Sequence, residues 1–135
     1  ADLAALVGYI IDPQFIGESM SKLIASKVSM VVSTLSIVSG TVTIDAEEDQ
    51  VYTLTLNQDV TLNNPINGDD LDIIRIRIVQ DGTGGWAITL ASGWALGEDI
   101  PVLVLNEEAN SISYITAIYN EANSVWHIVS VIGGF

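Results

Sequence analysis

The stretch VYTLTLNQDVTLNNPINGDDLDIIRIRIV, residues 51–79, decides the fold. In its last third Ile74, Ile76 and Ile78 alternate with Ile73, Arg75, Arg77 and Val79. That period of two is the signature of a strand with one buried face and one face whose centre is polar. Upstream, 51–56 and 59–63 are short and rich in Thr, Val and Leu, residues that favour pleated structure. Asn63-Asn64-Pro65 and Asn67-Gly68-Asp69 supply turn chemistry between the runs.

Working outward, the same pattern continues in both directions. Residues 41–45 form a short Thr/Val run before the stretch. After it, Asp81-Gly82-Thr83-Gly84-Gly85 makes a glycine-rich turn into a strand at 86–90, and a loop holding Trp94 and Gly97 leads to a strand at 101–105. Strands at 111–119 and 124–132 flank a turn at 120–123. About eight short strands at regular spacing predict a mainly β protein with a β-sandwich or jelly-roll-like domain over 41–135. No repeat of fixed period stands out.

Residues 1–40 differ. Asp12 caps and Pro13 opens a predicted short amphipathic helix over 13–28, with Ile16, Met20, Leu23, Ile24 and Val28 at helical spacing. The following VSMVVSTLSIVSG is β-branched and reads as extended. This segment is expected to be an N-terminal anchoring arm, with Phe15, Ile16, Met20, Leu23 and Ile24 contacting a partner.

Composition narrows the function. The chain has 135 residues and no cysteine, which excludes disulfides, zinc–thiolate sites and thiol nucleophiles. Residues 1–40 carry three acids against two lysines, and residues 41–135 carry fourteen acids against Arg75 and Arg77, a net of −12 out of −13. So acidic a surface repels nucleic acid. The apolar start ADLAALVGYII lacks a basic flank and stops at Asp12-Pro13, short of the ~20 residues of a membrane span. The expectation is a soluble chain, made in the host cytoplasm, with neither nucleic acid nor membrane as partner.

No catalytic constellation emerges. His127 is the one histidine, without the companions of a metal site or a triad. Asp69-Asp70-Leu71-Asp72 could offer oxygen ligands to calcium but does not match the twelve-residue calcium loop, and reads as a solvated turn. Gly82-Thr83-Gly84-Gly85 lacks the Gly-Lys-Ser/Thr ending of a phosphate loop and reads as a tight turn. The expectation is therefore a non-enzyme without catalytic, metal or cofactor residues. Arg75 and Arg77 are read either as partners of nearby acids or as intersubunit residues that fix the register between protomers.

Residues 72–132 resemble a β-domain that recurs in phage fibre, spike and head-decoration proteins. The resemblance rests on a strand ending in Gln80-Asp81-Gly82-Thr83-Gly84-Gly85 and the alternating strand Trp86-Ala87-Ile88-Thr89-Leu90. Trp94 and Gly97 in a loop, Pro101, the run Ile112 to Tyr119, and Val125-Trp126 near the end complete it. Trp86 stands where that pattern commonly has a basic residue, and Leu90-Ala91 where it has an aromatic residue and Pro. The resemblance implies a β-sandwich that assembles as a homotrimer on a phage particle. The segment IIDPQFIGESMSKLIASKVSMVVSTLSIVSGTVTI is similar to the N-terminal arm of HK97-type capsid proteins. Together these imply a capsid decoration (cement) protein on the outer capsid surface, bound to the major capsid protein. The alternative is a short tail or head fibre, or receptor-binding module, touching the host surface through loops bearing Trp94 and Tyr119.

Overall fold

The computed structural model describes residues 30–135. The predicted helix over 13–28 and the expected contact residues Phe15, Ile16, Met20, Leu23 and Ile24 lie outside them. The described part is built of nine strands and one 3-10 turn. The strands are β1 (Val32–Thr34), β2 (Thr41–Val42), β3 (Val51–Leu56), β4 (Val60–Leu62), β5 (Ile73–Gln80), β6 (Ile88–Leu90), β7 (Trp94–Leu96), β8 (Ile112–Asn120) and β9 (Val125–Gly133). The mainly β class that the alternation predicts is the class observed. Among the described residues, no helix is long and apolar enough to cross a membrane.

Two sheets hold one core. The larger has the order β1-β3-β5-β8-β9-β7 and the smaller β2-β4-β6. The chain alternates between them: β1, β3 and β5 go to the large sheet, β2, β4 and β6 to the small one, and within each series the neighbours are parallel. The first half is thus a winding, and its strand order differs from the Greek-key order of a jelly roll. Val32 stands opposite Val51 and Thr41 opposite Thr61, so the first turn takes about twenty residues. The next is longer, with Val51 opposite Arg75 and Val60 opposite Ile88. An isolated parallel bridge between Asp45 and Ile66 ties the connections of successive turns. The winding ends when β8 returns antiparallel to β5 and β9 antiparallel to β8, with β7 parallel to β9 at the far edge.

Alternation sets which side chains enter the core. Tyr52, Leu54 and Leu56 on β3 and Ile74, Ile76 and Ile78 on β5 point inward, and meet Val60 and Leu62 of the small sheet, Ile115 and Ala117 of β8, and Trp126 and Ile128 of β9. Each such aliphatic side chain contributes about 1.5–3 kcal/mol by leaving water. The Tyr52 ring is buried, and its hydroxyl reaches the backbone carbonyls of Asp45 (2.9 Å) and Asp49 at the turn before β3.

Two expectations need correction. Residues 101–105 form no strand. Their alternation is real, since Leu103 and Leu105 turn in while Val102 and Val104 stay exposed, but the segment pairs with no strand. Trp94, expected in a loop, begins β7. Its side chain is 6% exposed, and its indole Nε1 donates to the carbonyl of Asn63 at 3.0 Å. It is a core residue, so it is not available to a host ligand. Tyr119 lies half-buried against Trp126, ring centres 4.9 Å apart.

Candidate functional site

The register of the large sheet brings the two arginines into a continuous outer face. Val51, Arg75 and Thr116 form one row across β3, β5 and β8, and Val32 of β1 and Ser130 of β9 extend it. Thr34, Thr53, Arg77, Tyr114 and Ile132 form the next. Arg75 and Arg77 are exposed on β5. The Arg77 Nε donates to the Thr53 hydroxyl at 3.2 Å, and Arg75 Nη1 lies 4.0 Å from the Met30 sulfur. Between β1, β5 and β8 the face dips into a shallow depression of about 230 Å3, lined by Val32, Val51, Arg75, Arg77, Tyr114 and Thr116 among others.

Apolar side chains surround the arginines. Val32, Tyr114 and Ile132 are about half exposed, and Phe135 is 67% exposed with its ring edge-on to Tyr114 at 5.9 Å. An ordinary solvated sheet face carries charged and polar residues of both signs. None of the nine strands contains an Asp or Glu; all fourteen acids of residues 41–135 lie in loops, turns and the 3-10 segment Glu121–Asn123. The domain therefore separates an acid-free, arginine-bearing sheet face from an acidic set of loops. Sequence reasoning found Arg75 and Arg77 but missed Val32, Tyr114, Ile132 and Phe135. Their place beside the arginines depends on which strands pair, which the alternation of a single strand does not reveal.

The glycine-rich turn is a structural loop. Asp81 Oδ1 accepts from the backbone N–H of Thr83 (2.9 Å) and Gly84 (3.0 Å) and from the indole Nε1 of Trp86 (2.8 Å). Trp86 thus puts a neutral donor on the Asp81 carboxylate. Gln80, fully buried, closes the loop from inside: its side-chain amide donates to the Trp86 carbonyl (2.8 Å) and accepts from the Trp86 N–H (3.1 Å). The Trp86 indole first, then the Gly84 and Thr83 amides, hold the Asp81 carboxyl below its ordinary value of 3.8. A carboxylate with a depressed folded-state value stabilises the fold above its unfolded value, and this contribution is lost as pH falls through the folded value. Asp81→Ala is therefore expected to melt at a lower temperature than the wild type at neutral pH. The gap should persist down to about pH 3.8 and close below it, in parallel thermal melts of the two proteins across that range.

Asp70 and Asp72 are committed locally. Asp72 Oδ2 accepts from the Asp69 N–H (2.8 Å) and Asp70 Oδ1 from the Glu121 N–H (3.0 Å), so this cluster pins the turn before β5 to the turn after β8. Among the described residues, no three His, Asp or Glu side chains gather as a cation site. His127 is exposed on β9, opposite Ile118 of β8.

Residues 36–124 match a family described as "Putative phage tail fibre C-terminal domain". The match begins just after β1 and runs to the turn before β9, so it takes in the winding from β2 onward, the glycine-rich loop and the return strand. No curated protein and no solved structure matches the chain. The match spans well over half of the 135 residues, and the chain belongs to this phage tail fibre C-terminal domain family: it is a structural protein of a phage virion.

Proposed function

We propose that this protein is the host-facing module of a phage fibre, a non-enzymatic domain that binds a component of the host surface through its loops. The observation that carries the reading is family membership over residues 36–124, in a family described by the C-terminal part of tail fibres. A domain at that position is the part of a fibre best placed to meet a cell. The family description favours this reading over the capsid-decoration role, in which the same domain would cement a head through the major capsid protein. The buried position of Trp94 moves any host contact onto other loop residues.

The test is competition. Purified protein, labelled and added to host cells before the phage, is expected to bind the cells and to slow adsorption in proportion to the sites occupied. Protein that leaves adsorption unchanged, stays off the cells and binds instead to phage heads lacking it would replace the fibre reading with the cement reading.

A further inference from the structure

We infer that Asn67-Gly68, in the connection between β4 and β5, is a site of spontaneous self-modification, at which the folded chain converts Asn67 to isoaspartate and aspartate. The chemistry is local, since both reacting atoms belong to residues 67 and 68. The Gly68 backbone nitrogen attacks the side-chain carbonyl carbon Cγ of Asn67. A bond forms from that nitrogen to Cγ and the Cγ–Nδ2 bond breaks. The Gly68 N–H gives up its proton to solvent, and Nδ2 leaves with one more proton as ammonia. Water then opens the resulting cyclic imide. Opening at Cγ gives aspartate, and opening at the backbone carbonyl carbon gives isoaspartate, in which the main chain runs through Cγ. In total, water replaces ammonia and no oxidant or reductant takes part.

Sequence and structure both single out this position. Ring closure is limited by the residue that supplies the nitrogen, because its side chain obstructs the approach to Cγ, and glycine has none. Asn67 is the one asparagine of the chain followed by glycine. The others precede residues with side chains, and Pro65 after Asn64 has no N–H to give up. Asn67 is exposed, so water reaches the imide. The pair Asp81-Gly82 is the contrast. A carboxylate is a poorer electrophile than an amide, and Asp81 Oδ1 is held by the Thr83 and Gly84 N–H groups and the Trp86 indole.

The product does not fit the turn that makes it. Asn67 holds a left-handed φ of +59°, which asparagine tolerates better than most residues. Its Nδ2 donates to Asp45 Oδ1 at 3.0 Å, beside the bridge that joins Asp45 to Ile66 on the next turn of the winding. Conversion sets a carboxylate against that carboxylate and adds a negative charge to a chain already at −13. Isoaspartate also inserts a methylene into the main chain immediately before Gly68. A Cβ on Gly68 would come within 2.7 Å of the Trp126 indole, so this part of the chain has no room to shift inward. Modification therefore loosens the winding and the core together. A virion protein is not renewed after assembly, so the converted fraction rises with the age of the particle.

The test is incubation of the purified full chain, without denaturant, in mildly alkaline buffer made with heavy-oxygen water, followed by peptide mapping. Asn67 is expected to convert faster than every other asparagine, to take up a solvent oxygen, and to give more isoaspartate than aspartate. The converted protein, separated by its added charge, is expected to melt at a lower temperature than the unconverted protein. Asn67→Gly suits the left-handed φ and has no amide to lose. It is expected to keep its melting temperature through the same incubation, while that of the wild type falls. An Asn67 that converts no faster than the other asparagines, or converts only in denaturant, would overturn the inference. Melting temperatures that fall equally for the wild type and Asn67→Gly would place the ageing elsewhere in the chain. Converted protein that melts with the unconverted would overturn the link to the core.

Discussion

Trp126→Ala is expected to cost about 3–5 kcal/mol, the range for deleting a large aromatic side chain from a packed interior. Trp126 is 1% exposed and has the largest side chain of those fully buried. Its indole is held from three sides. The Trp94 ring centre lies 6.4 Å away, the Tyr119 ring centre 4.9 Å away, and Gly68 packs so closely that a Cβ there would come within 2.7 Å of the indole Cζ2. The backbone is fixed as well, since the Trp126 N–H donates to the Gly93 carbonyl at 2.8 Å. The surroundings therefore have little freedom to collapse into the space left behind, which places the cost toward the upper part of the range. Against the 5–15 kcal/mol typical of a domain, such a loss takes a large share of the whole. The checking measurement is equilibrium unfolding in denaturant beside His127→Ala. His127 adjoins Trp126 on β9 but is exposed, and its substitution is expected to stay within about 0.5 kcal/mol. Equal midpoints for the two variants would show that Trp126 does not organise the core.

The contrast between neighbours also shows what could be read from the chain. Period-two alternation on β5 identified Ile74, Ile76 and Ile78 as one buried set, because a strand has only two faces and water sorts them. The sense of the pairing was not legible. A parallel neighbour in a winding and an antiparallel neighbour in a hairpin impose the same alternation. The usual clue to a winding, a constant repeat length, is missing here: the turn from β1 to β3 is shorter than the turn from β3 to β5, and the connection before β6 is longer again. Residues 101–105 show the opposite error. Leu103 and Leu105 alternate because both dip into the core, yet alternation does not itself provide a neighbouring strand. The arginine pair on β5 was visible as charge on one strand face. The apolar surroundings that give it meaning come from β1, β8 and the C-terminus, joined only by the fold.

Gly84→Ala is expected to destabilise the domain by about 2–5 kcal/mol, and Gly85→Ala by only about 1–2 kcal/mol, although both glycines have left-handed backbone angles. The shared part of the cost is conformational, since φ is +71° at Gly84 and +84° at Gly85, where a side chain is strained. The difference lies in what surrounds each Cβ. At Gly85 the added methyl would meet nothing within 4 Å. At Gly84 it would lie 2.6 Å from the Ala109 backbone nitrogen and 2.7 Å from the Glu107 carbonyl oxygen, and backbone cannot step aside as a flexible side chain can. Relief would require the loop to part from 107–109, breaking the 2.7 Å bond from the Gly85 N–H to the Glu107 carbonyl and the 2.9 Å bond from the Asn110 N–H to the Asp81 carbonyl. It would also disturb the amides on Asp81, so Gly84→Ala should flatten the acid dependence that Asp81 confers, whereas Gly85→Ala should retain it. Thermal melts of both variants at neutral and acid pH read the two effects together. Equal losses would mean that the close approach of Gly84 to 107–109 does not shape the loop.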